Sequence, residues 1–204
     1  ALGMSYDERI GSKFLNAGVG FGGSCFPKDT KALLYLAKQH GYELRTVKAA
    51  IDVNKDQKTI LYRKASKRLI TFNGLKVAVL GLTFKPGTDD LREAPSLDNI
   101  PLLLEQGANV YAYDPVGMDN FRKIYPEGPC KNGTIRCVDK IEDALKDANV
   151  CFIFTEWNEI KSVKPEVYKK LMRTPLVYDG RNIYKPQDMK AAGVEYYSIG
   201  RPSC

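Results

Sequence analysis

Between Phe14 and Asp29 the sequence FLNAGVGFGGSCFPKD gathers four glycines, a cysteine, a lysine and an aspartate. Gly18, Gly20, Gly22 and Gly23 remove side chains where a backbone must bend tightly or a ligand must come close. Pro27 suits the first turn of a helix. Ala32, Leu33, Leu36 and Ala37 recur at helical spacing, which predicts a helix from about Pro27 to His40. Cys25 is then expected just before the helix N-terminus, where the partial positive charge favours a thiolate. Lys28 adds to that field. Asp29 works against it, so its carboxylate is better suited to orienting a group or a water beside the sulfur. The competing reading is a small apolar filler, the common fate of a lone cysteine. A core filler needs neither paired glycines before it nor a charged pair after it.

The rest of the chain bounds what this passage can serve. At 204 residues it holds one large domain, or one domain plus a helical piece. The net charge of +7 comes from scattered lysines and arginines. The cluster Lys64, Lys67 and Arg68 reads as a solvated helix face, and no nucleic-acid motif is visible. The basic excess suits an anionic small ligand. No apolar run is long enough to span a membrane, and no secretory signal is present. Five cysteines, an odd number without a Cys-x-x-Cys pair, and a single histidine make no metal cluster. Reduced thiols and a cytoplasmic location are expected.

Ser5 with Glu8 fits a short capped helix or a frayed terminus. From Tyr42 to Asn73 there is neither Gly nor Pro, and helix formers dominate. One long helix is predicted, roughly 40 Å if straight, with a break near Asp52-Val53-Asn54. A helix of that length is a connector between domains or a dimer spine. After Gly74 the pattern changes to short apolar strands alternating with helices. Strands are expected at Leu75–Gly81, Val110–Tyr113, Ile135–Val138, Val150–Phe154, Leu176–Tyr178 and Tyr196–Ile199. Helices are expected at Pro95–Gln106, Ile141–Asp147, Pro165–Met172 and Gln187–Ala192. The fold class is α/β: a Rossmann-like parallel sheet over residues 74–204, preceded by a helical segment over residues 1–73 with a long central helix.

Ligands of such sheets sit at the carboxyl ends of the strands. Here the first strand leads into Gly81-Leu82-Thr83-Phe84-Lys85-Pro86-Gly87, which lacks the G-x-G-x-x-G dinucleotide fingerprint. This domain is therefore expected to hold some other nucleotide. Phe84 could stack on a base and Lys85 could meet a pyrophosphate or ribose. Arg92 and Arg181 could meet further anionic groups; all three cations could equally be surface charges on loops. Asp114 closes the second strand as part of an Asp-Pro turn, too far beyond Gly81 for the usual ribose-binding acid.

Phe14–Asp29 resembles the catalytic-cysteine segment of the UDP-glucose 6-dehydrogenases, within the nucleotide-sugar 6-dehydrogenase family. Gly81–Ser96 resembles the start of that family's C-terminal domain, and Asp179-Gly180-Arg181-Asn182 a motif near its end. The blocks occur in family order, so the resemblance covers essentially the whole chain. It implies that Cys25 is the nucleophile and Asp29 a carboxylate of the hydrolytic step. It also implies that Phe14, Leu15, Asn16, Ala17, Gly18 and Gly22 wrap the substrate, with Lys85 and Arg181 touching it. Lys28 and Arg92 match residues that contact NAD. Arg9 matches an arginine that reaches the partner subunit's sugar nucleotide in a homodimer formed through the long helix.

The implied reaction is the NAD-dependent oxidation of UDP-glucose, through a thiohemiacetal and a thioester on Cys25, to the glucuronate. The family's dinucleotide fingerprint, catalytic lysine and acid–base glutamate are absent from these residues, so the chain is expected not to turn over alone. The alternatives are a sister enzyme for GDP-mannose or an N-acetylated UDP-sugar, and a non-catalytic nucleotide-binding or dimerisation module.

Overall fold

The computed structural model describes all residues, 1–204. The chain opens with α1 (Leu2–Ser5), α2 (Cys25–Gln39), α3 (Arg45–Lys58) and α4 (Ile60–Arg68). The helices depart from the sequence pattern at three points. Ser5 ends α1 rather than capping a helix, and its hydroxyl donates to the Leu2 carbonyl at 2.7 Å. Cys25 is the first residue of α2, with Ser24 as N-cap, so it lies within the first turn rather than ahead of it. The long helix is interrupted at Thr59, not at Asp52–Asn54. Asn54 stays helical, and its side chain bonds the Phe21 backbone rather than that of its own helix. The break follows Lys58, whose carbonyl accepts a hydrogen bond from Asn99 Nδ2 at 2.8 Å.

The remainder runs β1 (Lys76–Leu80), α5 (Pro95–Glu105), β2 (Asn109–Tyr113), α6 (Met118–Ile124), β3 (Gly128–Cys130), β4 (Gly133–Cys137), α7 (Ile141–Leu145), β5 (Val150–Ile153), α8 (Asn158–Lys161), α9 (Pro165–Leu171), β6 (Leu176–Asp179), α10 (Pro186–Ala191) and β7 (Glu195–Tyr197). The seven strands form one sheet in the order β3-β4-β2-β1-β5-β6-β7. All neighbours pair in parallel except β3, which pairs antiparallel with β4. The sheet is therefore mixed at one edge. The edge strand β3 and the helices α6 and α8 were not expected from the sequence.

Period-two alternation divides the strands between two cores. Val77, Val79, Val110, Ala112, Phe152 and Tyr178 face α4 and α5. Ala78, Leu80, Cys151, Ile153, Val177 and Tyr196 face the layer of α7, α9 and α10. Leu61 and Ala65 of α4 are fully buried in the first core although they precede Gly74. Val19 of the glycine-rich passage is buried there too, which fixes that passage to the sheet.

All five cysteines are free, and Cys151 is buried. No helix is long and apolar enough to cross a membrane.

Candidate functional site

The chain leaves β1 for one side of the sheet and returns through β5 to the other, so the switch point lies between these strands. Ligands of open α/β sheets sit outside the carboxyl ends at that point. Gly81 follows β1 with φ 82°, and a Cβ there would come within 2.6 Å of the Thr155 backbone nitrogen. Only glycine lets the two loops meet so closely.

Buried Asp114 organises the loop. Its Oδ2 accepts from Leu82 N at 2.7 Å, Thr83 N at 3.1 Å and Trp157 Nε1 at 3.0 Å. Its Oδ1 accepts from Val116 N at 3.0 Å and Gly117 N at 2.7 Å. Asp114 is thus a turn residue whose carboxylate is fully engaged within the protein. Thr155 donates its hydroxyl to the Thr83 carbonyl and closes the crevice floor. Phe84, Lys85 and Glu156 follow immediately and line the cleft above it.

The glycine-rich passage crosses this floor held through its own backbone groups. Val19 N donates to Gly180 O at 3.0 Å, and Gly23 N to Arg92 O at 2.8 Å. From α3, Gln57 Nε2 donates to Gly18 O at 2.8 Å. Asn54 binds Phe21 twice: Oδ1 accepts from Phe21 N at 2.7 Å, and Nδ2 donates to Phe21 O at 3.1 Å. The paired glycines have a steric reason. A Cβ on Gly23, φ 79°, would stand 2.7 Å from the Phe84 ring, and Gly22 is pressed against Glu93 and Phe84.

A cleft of about 660 Å³ results, and it draws on all three sequence blocks. Phe14, Asn16, Gly18 and Gly22 line one side, and Phe84, Lys85, Glu156 and Arg181 the other. Arg181 is fixed at its base. Its Nε donates to Phe154 O at 2.7 Å and its Nη2 to Phe84 O at 3.2 Å, while Glu156 Oε2 lies 3.1 Å from Nε. Burial pushes the guanidinium below its ordinary value, opposed by the charges of Glu156 and Asp179. The Asp179 carboxylate at the end of β6 is fully buried. It accepts from Arg181 N at 2.7 Å, Ile183 N at 2.7 Å and Tyr196 Oη at 2.6 Å. Burial raises its pKa above the ordinary aspartate value in spite of these donors.

The other expected residues stand apart from this lining. Leu15 and Ala17 alternate with the lining residues and stay outside it. Cys25 is exposed at the start of α2, with Sγ 3.9 Å from Ser24 Oγ. The neighbouring Phe26 does line the cleft and packs edge-on against Phe14 and Phe21, with centroids at 6.2 and 5.6 Å. Cys25 therefore starts its helix at the rim. The Arg92 guanidinium is raised above its ordinary value chiefly by Asp90. It is held by Asp90, whose carboxylate accepts from Arg92 Nη2 at 2.7 Å. Lys28 pairs with Asp29 at 3.3 Å, both exposed. Arg9 is solvent-exposed, pairs with Asp7 at 2.6 Å and lies outside the cleft.

Sequence reasoning missed Glu156, Asn54 and Gln57. Glu156 could have been found, because it lies just past the most apolar strand, where ligands of such sheets bind. Asn54 and Gln57 carried no signal, since polar residues on a helix are ordinarily solvated.

Residues 78–186 match the UDP binding domain of the UDP-glucose/GDP-mannose dehydrogenase family. Residues 1–56 match the same family's central domain. The UDP-glucose 6-dehydrogenase YwqF of Bacillus subtilis is 44% identical over 201 residues, covering 98% of this chain and 44% of the relative. The UDP-glucose 6-dehydrogenase of Rhizobium meliloti is 44% identical over 203 residues, covering 99% and 45%. The chain thus spans less than half the length of these curated relatives. Among solved structures, a UDP-glucose dehydrogenase from Pyrobaculum islandicum superposes with TM-score 0.79 at 34% identity, over 92% of this chain and 40% of that one. An NDP-N-acetyl-D-galactosaminuronic acid dehydrogenase from Methanosarcina mazei Go1 gives 0.81 at 28% identity, over 98% and 43%. With one family domain spanning most of the sheet and a second spanning the cysteine helices, the chain belongs to the UDP-glucose/GDP-mannose dehydrogenase family.

Proposed function

We propose that the cleft receives the nucleotide of a UDP-sugar, UDP-glucose before its relatives, and that Cys25 is the nucleophile of the oxidation of its sugar. One observation carries this reading: three separated sequence blocks supply Asn16 and Gly18, Phe84 and Lys85, and Arg181 to a single cleft, with the helix of Cys25 starting at its rim. Phe84 offers an aromatic face, and Lys85 and Arg181 offer donors to phosphate oxygens. Glu156 faces the same space and suits hydroxyl donors of a ribose or sugar.

In this scheme the Cys25 thiolate adds to the carbonyl carbon of a sugar aldehyde, and the carbonyl oxygen takes up a proton. The thiohemiacetal holds the aldehyde in place at the helix N-terminus. Loss of hydride from that carbon and of the proton from its hydroxyl leaves a thioester. Asp29, four residues along the same helix, orients the water that adds to the thioester, and the thiolate departs. NAD, when bound, would supply the hydride acceptor for both oxidations. Lys28 and Arg92 fit the edge of an anionic dinucleotide, because both are exposed cations on the Cys25 side. Each already has a carboxylate partner, so the pair supplies a supporting contact rather than a whole site. The absence of a dinucleotide fingerprint points the same way.

The exposed apolar residues Leu33, Tyr35 and Leu36 of α2 support the further reading that a second copy of the chain covers this helix. Arg9 would then reach the partner's nucleotide sugar. A cytoplasmic location accords with the free cysteines.

Calorimetric titration with UDP, UDP-glucose and GDP-mannose tests the nucleotide reading. Selective binding of the uridine ligands, weakened at least tenfold in Arg181→Ala, is the expected result. Preference for GDP-mannose would move the assignment to a sister substrate. Equal indifference to all three would leave the cleft without its proposed ligand.

A further inference from the structure

The junction between the cysteine segment and the sheet domain runs through a residue that the scheme above does not use. Glu93 closes the loop after β1 with φ 54°, in the left-handed region that residues with side chains rarely adopt. This turn aims the Arg92 carbonyl at Gly23 N, 2.8 Å away. It also presses the Glu93 carbonyl against Gly22, where a Cβ would clash. The carboxylate then divides between two helices. Oε1 accepts from Lys31 Nζ of α2 at 3.0 Å, and Oε2 from Lys58 Nζ of α3 at 2.8 Å. Lys58 is buried, with only 6% of its side chain exposed, and has Asp98 as a second partner at 3.6 Å. The two lysines hold the Glu93 carboxyl below its ordinary range.

The spacing gives these contacts a consequence. Gly23 lies two residues before Cys25, and Lys31 six residues after it on the same helix. The dipeptide Arg92-Glu93 therefore grips the chain on both sides of the thiol. The same loop carries Phe84 and Lys85 on its cleft side, and the Phe84 ring lies on Gly22 and Gly23. We propose that Glu93 is a positioning residue that fixes Cys25 relative to the nucleotide-facing Phe84–Lys85 loop. The inference rests on the reading of Cys25 as nucleophile. Glu93 acts through the start of α2, whose positive end favours a thiolate at Cys25 while that turn is held in place.

The test uses this chain and two measurements. The first is the rate of Cys25 alkylation by iodoacetamide, followed on its own peptide with Cys204 as internal control. The second is hydrogen exchange across residues 20–25. In Glu93→Ala, Cys25 alkylation is expected to slow at least fivefold and exchange across 20–25 to quicken at least fivefold, with Cys204 unchanged. Glu93→Gln keeps an acceptor for the lysines and is expected to stay within twofold of the unaltered chain. Lys31→Ala removes an exposed partner with little effect on stability, and is expected to slow Cys25 at least twofold. A Cys25 rate within twofold of normal in Glu93→Ala overturns the proposal. So does a parallel change at Cys204, which marks general loosening. If Glu93→Ala does not fold, Lys31→Ala decides, and an unchanged Cys25 rate there overturns it. UDP binding to the unaltered chain is measured alongside. Its failure removes the nucleotide reading and leaves the Glu93 comparison intact.

Discussion

Each face of the sheet is covered by helices, and its central strands β1, β5 and β6 are almost wholly buried. In α2, by contrast, only Pro27 of fifteen residues is buried, while Leu33, Tyr35 and Leu36 are exposed. The buried residue of α3 is the charged Lys58. The two regions are therefore held by different forces. Burial of apolar area, which is non-directional, stabilises the sheet. The cysteine segment depends on directional contacts from Asn54, Gln57, Arg92 and Glu93. A segment held this way can be placed accurately yet open locally at small cost, which is the usual character of ligand-binding elements.

The strongest way to break this comparison is to cut the sheet core. Phe152 is fully buried and packs against Phe154, Tyr178 and Phe72, with centroids at 6.1, 5.3 and 6.5 Å. Phe152→Ala is expected to cost about 3–5 kcal/mol in urea unfolding, from lost transfer energy and the cavity left behind. A cost below about 1 kcal/mol would mean that the aromatic stack is not the keystone it is taken for. Hydrogen exchange sharpens the same contrast without mutation. Amides of β1 and β5 are expected to exchange about a thousandfold more slowly than those in the middle of α2. Equal protection would show the two regions opening as one unit.

The contrast also explains what could be read from the sequence. The central strands were legible because runs such as Val150-Cys151-Phe152-Ile153 are apolar throughout and bounded by polar turns. β3 was not, because Gly128-Pro129-Cys130 has no strand pattern of its own. It exists through pairing with β4 across a turn in which Lys131 takes φ 53°. Helix α6 presents only Met118 and Phe121 to the core, too few to stand out among polar residues. The break at Thr59 was invisible because it follows from long-range partners of Lys58, namely Glu93, Asp98 and Asn99. In the cleft, glycines and cations carried a signal in their types and spacing. Asn54, Gln57 and Glu156 did not, since their roles depend on which distant backbone they meet.

A smaller effect tests the floor of the cleft, where the two regions join. Asp179 binds a proton more readily in the folded chain than in the unfolded one, because burial outweighs its hydrogen bonds. Between its unfolded value, about 3.9, and its raised folded value, the folded state holds more protons. Stability from this group is therefore full at lower pH and is lost as pH rises through the folded value, at no more than about 1.4 kcal/mol per pH unit. Asp179→Asn removes the titration while retaining an acceptor. The pH dependence of urea stability is expected to lose that downward slope above the ordinary aspartate range. An unchanged slope would place the titration elsewhere.

The smallest expected effect lies on the other side of the comparison. Leu36 sits on α2 with 53% of its surface exposed, and it belongs to neither buried core. Truncating it removes little apolar area that folding of this chain takes from water, and alanine has the higher helix propensity. Leu36→Ala is therefore expected to shift the unfolding free energy of the isolated chain by less than about 0.5 kcal/mol. The same measurement at several protein concentrations adds a second axis. If a second copy covers α2, stability of the unaltered chain rises with concentration, and Leu36→Ala weakens that dependence. A loss above about 1 kcal/mol at every concentration would instead mean that α2 is packed within its own chain, and the division between a buried sheet and a loosely held cysteine segment would fall.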